Sequence, residues 1–349
     1  NPDSTYRPWS NSDGSLMANA NPAAALYNPA LPSAGNTNLT ARTTKRADWF
    51  SGPNLNSAFY DPGANANHTY WPITYFNYNG TGNRNLRASY TKVEITTATP
   101  AGATFTSPGG ITRKRDEEIQ NFANWFQYYR SRVLTARAGI GRAFSTLGTT
   151  PRVGFGTINA SPATIDGVAS SGTVVSGVRA FTGANRTNFF PTFYGRTIPA
   201  AGTPLRNAAD DVGVYFSRAD AQGPWGANPG AGGGTQYSCR QNYHILTTDG
   251  YWNDAGSSTA GARANVDNTS GAVITRTDGT TFQYTPANPF RDSWSSTLAD
   301  VAMYYWVRDL RPDLANNVST NSKDPAFWQH LTTFTVSIGL AGTIPLATI

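Results

Sequence analysis

From about residue 115 onward the sequence predicts an α/β fold, in which a mostly parallel sheet is flanked by helices. Three observations predict it: apolar residues recur at helical spacing after residue 115, short apolar segments follow that suit strands, and two further amphipathic segments alternate with them. Strands separated by helices of crossover length pair in parallel. We therefore expect the strands at 152–158, 243–249 and 332–340 to lie parallel in one sheet.

Three helices are predicted, each from its apolar face and its end signals. The second begins at Gly202-Thr203-Pro204-Leu205, where Thr203 suits the N-cap and Pro204 the first helical position. The third spans about 295–310. The first is a single long helix whose apolar positions step by three and four: Ile119, Phe122, Phe126, Tyr129, Val133, Ala136, Ile140 and Ala143.

Residues 1–112 are predicted to form a β-rich, aromatic insertion or subdomain, and 113–349 the α/β domain. Turn signals in the first region separate aromatic clusters such as Tyr70-Trp71, and 88–97 alternates as a strand does. These aromatics either pack a small β layer or form a sugar-stacking surface. Within the second region, 254–291 is predicted to be an inserted hairpin around Thr277-Asp278-Gly279.

Composition excludes several classes of protein. Apolar residues make up 39% and aromatics 12% of the chain, too much for a disordered protein, while charged residues make up only 14%. The net charge is +6, yet the one dense basic run, Arg113-Lys114-Arg115, is followed at once by Asp116-Glu117-Glu118. That pattern is typical of a solvated charge switch at a helix start, so no nucleic-acid partner is expected.

The single cysteine and the hydrophobic pattern point to a secreted protein. Cys239 has no partner in this chain, so we expect it to be reduced or bonded to a cysteine elsewhere. No apolar run reaches the roughly 18 residues of a membrane span, and no signal peptide is visible. The chain is therefore expected to be a processed or excised piece of a longer protein.

Two predicted loops carry hard oxygen ligands at the carboxyl edge of the sheet. Thr203 precedes a helix, and Asp249 ends an apolar strand. Ligands gather at this edge of open α/β sheets, and a hydroxyl with a carboxylate suits Mg²⁺ or Ca²⁺. The alternatives are a plain N-cap for Thr203 and a plain turn for Asp249.

At these motifs the sequence resembles the von Willebrand A domain, whose metal-ion-dependent adhesion site uses a threonine and a strand-end aspartate. Longer motifs resemble the PilY family of type IV pilus tip adhesins. They are 122–126 (Phe-Ala-Asn-Trp-Phe), 128–132 (Tyr-Tyr-Arg-Ser-Arg), 239–246 (Cys-Arg-Gln-Asn-Tyr-His-Ile-Leu), 248–253 (Thr-Asp-Gly-Tyr-Trp-Asn), 297–306 (Thr-Leu-Ala-Asp-Val-Ala-Met-Tyr-Tyr-Trp) and 323–330 (Lys-Asp-Pro-Ala-Phe-Trp-Gln-His).

The resemblance implies an extracellular protein at the pilus tip that acts in surface attachment, pilus biogenesis and twitching motility. The implied partners are minor pilins, a host or abiotic surface ligand, and a carboxyl-terminal propeller domain of the same protein. The family's metal site also uses an Asp-x-Ser-x-Ser motif after an apolar strand. Asp13-Gly14-Ser15 is the nearest imitation, but no apolar strand precedes it. A site of Thr203 and Asp249 is thus expected to be incomplete, and unoccupied in this chain.

Catalytic chemistry is not predicted. The three histidines are His68, His244 and His330, and no Gly-x-Ser-x-Gly motif accompanies them. His244 lies within an apolar strand, as a core histidine does, and one cysteine with three scattered histidines does not form a zinc site. The alternative to an adhesin is a secreted protein that binds or hydrolyses carbohydrate, on the strength of its tyrosines and tryptophans.

Overall fold

The structure, a computed structural model, describes residues 1–46, 67–170, 172–199, 201–248 and 250–337. Within these ranges the α-helices are α1 (Arg115–Tyr128), α2 (Arg132–Ser145), α3 (Gly183–Gly195), α4 (Leu205–Phe216) and α5 (Leu298–Trp306).

Strands in the same ranges are short and pair two by two. They are β1 (Ala25–Leu26), β2 (Asn36–Thr37), β3 (Thr43–Arg46), β4 (Asn67–Tyr70), β5 (Thr74–Tyr78), β6 (Tyr90–Glu94), β7 (Thr104–Thr106), β8 (Thr112–Lys114), β9 (Arg152–Gly156), β10 (Ala163–Ile165), β11 (Val168–Ser170), β12 (Val174–Ala180), β13 (Tyr243–Thr248), β14 (Ile274–Thr275), β15 (Thr281–Phe282) and β16 (Thr332–Ser337).

The chain divides into two compact units. Unit 1 comprises Asn1–Gly148 and Arg186–Arg196, and unit 2 comprises Thr149–Asn185 and Thr197–Ile349. The predicted boundary after residue 112 falls inside unit 1, within β8. There α1 packs on the segments before it, so the contacts place the division about 36 residues later.

Aromatic rings form the centre of unit 1. Trp9 stacks on Tyr194 with ring centroids 4.6 Å apart and meets Tyr128 edge-on at 5.6 Å. The Trp9 indole N–H donates to the Tyr128 carbonyl at 3.0 Å, and the Tyr194 hydroxyl donates to the Ser10 carbonyl at 2.8 Å. Large rings are buried here because their polar groups have partners.

The predicted long first helix is in fact two helices. α1 ends at Tyr128, Tyr129 leaves the helical conformation with φ −139°, and α2 begins after Ser131. The Ser131 side chain accepts the Leu134 N–H at 3.3 Å as an N-cap. A serine that can cap a helix competes with its continuation, and here the cap prevails.

The buried side of α1 is largely polar, which the apolar spacing did not indicate. Asn121, Asn124 and Gln127 are each about 5–6% exposed. The predicted charge switch lies at the start of α1, and its Lys114, Asp116 and Glu117 are exposed, but Arg113 and Glu118 are buried and pair at 3.3 Å. Arg113 also donates to the Pro2 and Ser4 carbonyls, so it holds the N-terminal segment.

Of the three strands of unit 2 that the sequence places parallel in one sheet, two pair in parallel and the third pairs antiparallel with another strand. β13 and β16 pair in parallel, from Tyr243 opposite Thr332 to Thr248 opposite Ser337. β9 instead pairs antiparallel with β12. Gly154 and Gly156 allow the two strands to approach closely. A Cβ at Gly154 would lie 3.0 Å from the Ser176 carbonyl oxygen, and a Cβ at Gly156 would lie 3.0 Å from the Thr173 carbonyl oxygen.

Three smaller predictions for unit 2 are confirmed. β14 and β15 form the antiparallel hairpin expected within 254–291, β12 lies within the strand expected at 173–181, and α5 lies within 295–310. The largest core cluster of the unit joins α4 and α5 through Ala209, Tyr215, Val301 and Tyr305.

Candidate functional site

The loop before α4 and the loop after β13 lie against each other in unit 2. The Thr203 N–H donates to Asn253 Oδ1 at 2.5 Å, and the Asn253 N–H donates back to the Thr203 carbonyl at 3.1 Å. A Cβ at Gly202 would lie 2.8 Å from the same Oδ1 atom, so glycine allows this close approach. The two loops predicted to carry metal ligands are therefore neighbours.

Asp249 lies outside the described residues, so its distance from Thr203 is not part of the geometry. Its neighbours are placed: Thr248 Oγ1 lies 3.2 Å from the Gly250 nitrogen and 3.0 Å from the Gly250 carbonyl.

Thr203 is not the N-cap of α4, contrary to prediction. Pro204 occupies the N-cap position, Leu205 is the first helical residue, and no side chain of the cap residue bonds to the helix. The hydroxyl of Thr203 makes no hydrogen bond with the described residues, although its carbonyl accepts the Leu205 N–H at 2.9 Å. Thr203 therefore has a hydroxyl available to a ligand.

Asp254 supplies the missing cap from 48 residues away. Its Oδ2 atom accepts the N–H groups of Arg206 at 2.9 Å and Asn207 at 3.3 Å, and its Oδ1 atom accepts Arg206 Nε at 2.6 Å. The Asp254 side chain is 4% exposed and that of Arg206 is 11% exposed. Sequence reasoning missed Asp254, because nothing near α4 in the chain marks a cap from a distant loop.

Arg206 also binds a third loop, which contains Ser296. Arg206 Nη1 donates to the Ser296 carbonyl at 2.6 Å, and its guanidinium lies 5.4 Å from the Trp252 ring centroid. Tyr251 and Trp252 remain exposed, at 68% and 39%. An exposed aromatic pair therefore borders the Thr203 loop, next to the Arg206–Asp254 ion pair.

The described residues of this site do not supply the full set of oxygen ligands that a divalent cation takes. Ca²⁺ takes about six to eight oxygen ligands and Mg²⁺ about six. No group of three or more His, Cys, Asp or Glu side chains able to hold a metal occurs among the described residues. The carboxylate of Asp254, beside Thr203, is already engaged by Arg206 and the helix amides. The described part of the site thus offers one hydroxyl and no free carboxylate.

The environments of four other chemically notable side chains are as follows. Adjacent Asp210 and Asp211 bond in different directions, to the Tyr305 hydroxyl and to the Thr173 hydroxyl, both at 2.6 Å. Burial lowers the pKa of His244 to about 4, so this histidine is neutral at physiological pH. Cys239 is free and exposed.

The buried His330 forms a polar pair with the partly buried Asp324. The Asp324 Oδ2 atom lies 2.9 Å from His330 Nε2, and His330 Nδ1 lies 2.7 Å from the Trp328 carbonyl. Burial raises the pKa of Asp324, but the hydrogen bond and charge of His330 outweigh it and hold that pKa below its usual range. Both belong to the 323–330 motif, which therefore has a packing role.

Comparison with known proteins places the chain among pilus proteins. It is 34% identical over 287 residues to the type IV pilus biogenesis factor PilY1 of Pseudomonas aeruginosa strain PAK, covering 77% of this chain and 22% of that protein. The PilY1 of strain PAO1 is 33% identical over 286 residues, and that of strain UCBPP-PA14 is 31% identical over 277.

Over about three quarters of its length the chain is therefore homologous to PilY1, and it spans about a fifth of the length of these relatives. No family model and no solved structure matches. None of the helices in the described ranges is long and apolar enough to cross a membrane.

Proposed function

We propose that the chain is an adhesion and assembly module of a type IV pilus, displayed outside the cell at the pilus tip. The observation that carries the proposal is the homology to PilY1 proteins, whose name makes them type IV pilus biogenesis factors. Minor pilins and a host or abiotic surface are the partners that such a role requires, and a carboxyl-terminal propeller of the same protein is the expected neighbour.

A von Willebrand A-like fold for unit 2 is part of this proposal. The parallel β13–β16 pair and the helices α4 and α5 support it, as does the contact between the Thr203 loop and the loop after β13. In such a fold Thr203 and Asp249 would hold Mg²⁺ or Ca²⁺ together with residues outside the described ranges. The cation would supply a positive charge to which a carboxylate of the surface ligand binds.

The pilus role is tested in a type IV-piliated bacterium that expresses the full-length protein. Deletion of this region should abolish surface pili and twitching, measured by shear-fraction immunoblot and by agar-interface zones. The deletion variant must be secreted at the same level as the full-length protein, which an immunoblot of the same cells establishes. Normal piliation and twitching without the region would contradict the proposal.

The metal site is tested separately by calorimetry with Mg²⁺ and Ca²⁺ on the full-length protein. Asp249→Ala and Thr203→Ala should each weaken cation binding at this site by at least about tenfold, since each removes one ligand. Asp278→Ala is the matched control, because Asp278 also precedes a glycine in a turn but lies in the β14–β15 hairpin. Equal binding by Asp249→Ala and Asp278→Ala would remove Asp249 from the site.

A further inference from the structure

A groove of about 410 Å³ lies in unit 1 between the β5–β6 and β7–β8 hairpins. This volume is within the range of about 300–1,000 Å³ that small-molecule sites occupy. Asn77 and Thr91 lie directly opposite each other on β5 and β6, and Val93 is two residues further on the same face. Thr104 and Phe105 of β7 line the other side.

The lining is neutral although the protein is basic. Its polar groups are amides and hydroxyls, including those of Asn77, Asn79, Thr91 and Thr104, and its apolar surface comes from side chains such as Val93 and Phe105. None of the described residues that line it is charged, in a chain of net charge +6. Such a surface offers donors and acceptors to a polar ligand but no ion-pair partner to a charged one.

Asn77 is the least satisfied of these groups. The residue is 9% exposed, and its Oδ1 atom is buried with no hydrogen-bond partner among the described residues. Asn79, by contrast, accepts the Thr91 hydroxyl at 2.7 Å. An unpaired buried amide oxygen costs roughly 1–3 kcal/mol. Because this oxygen is buried, the Asn77 amide must rotate towards the groove before a donor from a bound ligand recovers that cost.

We propose that this groove binds a neutral saccharide, with Asn77 accepting a sugar hydroxyl. A sugar combines hydroxyls, which both donate and accept, with apolar C–H faces, and the groove presents amides beside Phe105 and Val93 in the same way. The saccharide would be a ligand for the proposed adhesion role, so this inference rests on that role. Saccharide binding tests the groove, whereas piliation tests the role.

The experiment is isothermal calorimetry of the purified chain with maltose, lactose, cellobiose and diacetylchitobiose, and with sialyllactose as a charged comparison. At least one neutral disaccharide should bind with a millimolar or tighter dissociation constant. Asn77→Ala should weaken that binding about tenfold, because one buried acceptor is lost. Thr104→Arg should abolish it, since the exposed Thr104 position would then fill the groove. Chelation of divalent cations should leave binding unchanged.

Two controls match these variants. Asn85→Ala removes an exposed amide from the same β5–β6 hairpin outside the groove, and Ala101→Arg adds the same large side chain at an exposed position before β7. Both should keep the wild-type affinity within about twofold. If Asn77→Ala does not fold, as judged by circular dichroism, Thr104→Arg decides alone.

Three results would overturn the proposal. They are no binding of any neutral disaccharide at millimolar concentration, binding that survives Thr104→Arg, and binding of sialyllactose only. Loss of binding in Ala101→Arg as well as Thr104→Arg would also count against the groove, because the effect would then not depend on its lining.

Discussion

Helix α1 of unit 1 and helices α4 and α5 of unit 2 all bury polar side chains. Apart from Glu118, which pairs with Arg113, the buried polar side chains of α1 are neutral amides, whereas those of α4 and α5 are carboxylates. Asn121, Asn124 and Gln127 are the amides, and Asp210 and Asp300, each about 0–1% exposed, are the clearest carboxylates. In both units these groups bind the main chain of segments that have little secondary structure.

The amides of α1 hydrogen-bond the main chain of the N-terminal segment, as a neighbouring strand would. Asn124 accepts the Ala20 N–H at 2.9 Å and donates to the Tyr6 carbonyl at 3.0 Å, while Asn121 accepts the Tyr6 N–H at 2.8 Å and donates to the Ser4 carbonyl at 3.1 Å. An amide side chain carries both a donor and an acceptor, so one residue satisfies both kinds of main-chain group.

The carboxylates of unit 2 accept only. Asp300 accepts the N–H groups of Thr297 at 2.8 Å and Val266 at 2.7 Å, and Asp210 accepts the Thr259 N–H at 2.9 Å and the Tyr305 hydroxyl. Hydrogen bonds to charged acceptors are stronger than those between neutral groups. The comparison therefore teaches that the two units should differ in their response to mutation, and two other groups of unit 2, His244 and Asp267, add a response to pH.

The largest expected effect is that of Asn124→Leu. The substitution fills a similar volume but leaves the Ala20 N–H and the Tyr6 carbonyl without their partner, so the free energy of unfolding of unit 1 should fall by about 3 kcal/mol. Limited proteolysis should then cleave within residues 1–30 first, detected by mass spectrometry.

Asn85→Ala, an exposed amide of the same unit, is the control and should change neither stability nor cleavage. If Asn124→Leu proved as stable as the wild type, the amide contacts would contribute no net free energy of unfolding. Buried amides and buried carboxylates would then not explain a difference in stability between the two units.

The second effect concerns acid. Because burial lowers the pKa of His244 to about 4 from an unfolded value near 6.5, the folded state binds fewer protons between these values. Above pH 6.5 His244 is neutral in both states and does not change the free energy of unfolding. As the pH falls from 6.5 towards 4, protonation of His244 in the unfolded state lowers the free energy of unfolding by roughly 2–3 kcal/mol.

Hydrogen exchange at pH 7 and pH 5, extrapolated to equal intrinsic rates, should therefore show less protection of β13 and β16 at pH 5 while α1 is unchanged. His244→Gln should remove the part of this pH dependence that comes from the histidine. An equal loss of protection in α1 would contradict the contrast between the units.

How much the sequence could predict follows from the range of the interactions. The hairpin around Thr277-Asp278-Gly279 and the helix expected over about 295–310 depend on neighbours in the chain, and both are found. Thr297 caps this helix, with its side chain 3.0 Å from the Asp300 nitrogen. The break at Ser131 also has a local cause, yet the apolar spacing outweighed it in the prediction.

Interactions between distant residues could not be predicted. The cap of α4 comes from Asp254, and the burial of Asn121 and Asn124 depends on segments about 100 residues earlier. Spacing rules assign amides to the solvent because they consider one helix at a time. For the candidate site, the sequence correctly indicated that the Thr203 loop adjoins the loop after β13, while the role of Asp249 stays a prediction.

The smallest effect is expected at Asp267, and it should be stabilising. Asp267 is 1% exposed, and its Oδ2 atom has no hydrogen-bond partner among the described residues. Burial raises its pKa, and the nearby charges of Asp300 and Asp292 raise it further. An acid whose pKa is raised in the folded state favours folding when protonated, so stability is lost as the pH rises through that folded pKa.

Asp267→Asn removes the charge and keeps the shape, so it should raise the free energy of unfolding by about 1 kcal/mol at pH 7, with the gain disappearing near pH 3, where both side chains are neutral. Urea unfolding at both pH values measures this. Asp278→Asn, at an exposed turn where hydrogen bonds from Thr280 lower the pKa of the aspartate, should give no such gain. A loss of stability in Asp267→Asn at pH 7 would mean that the ionised carboxylate has a partner. The buried carboxylates of unit 2 would then all stabilise the fold, as the amides of α1 do.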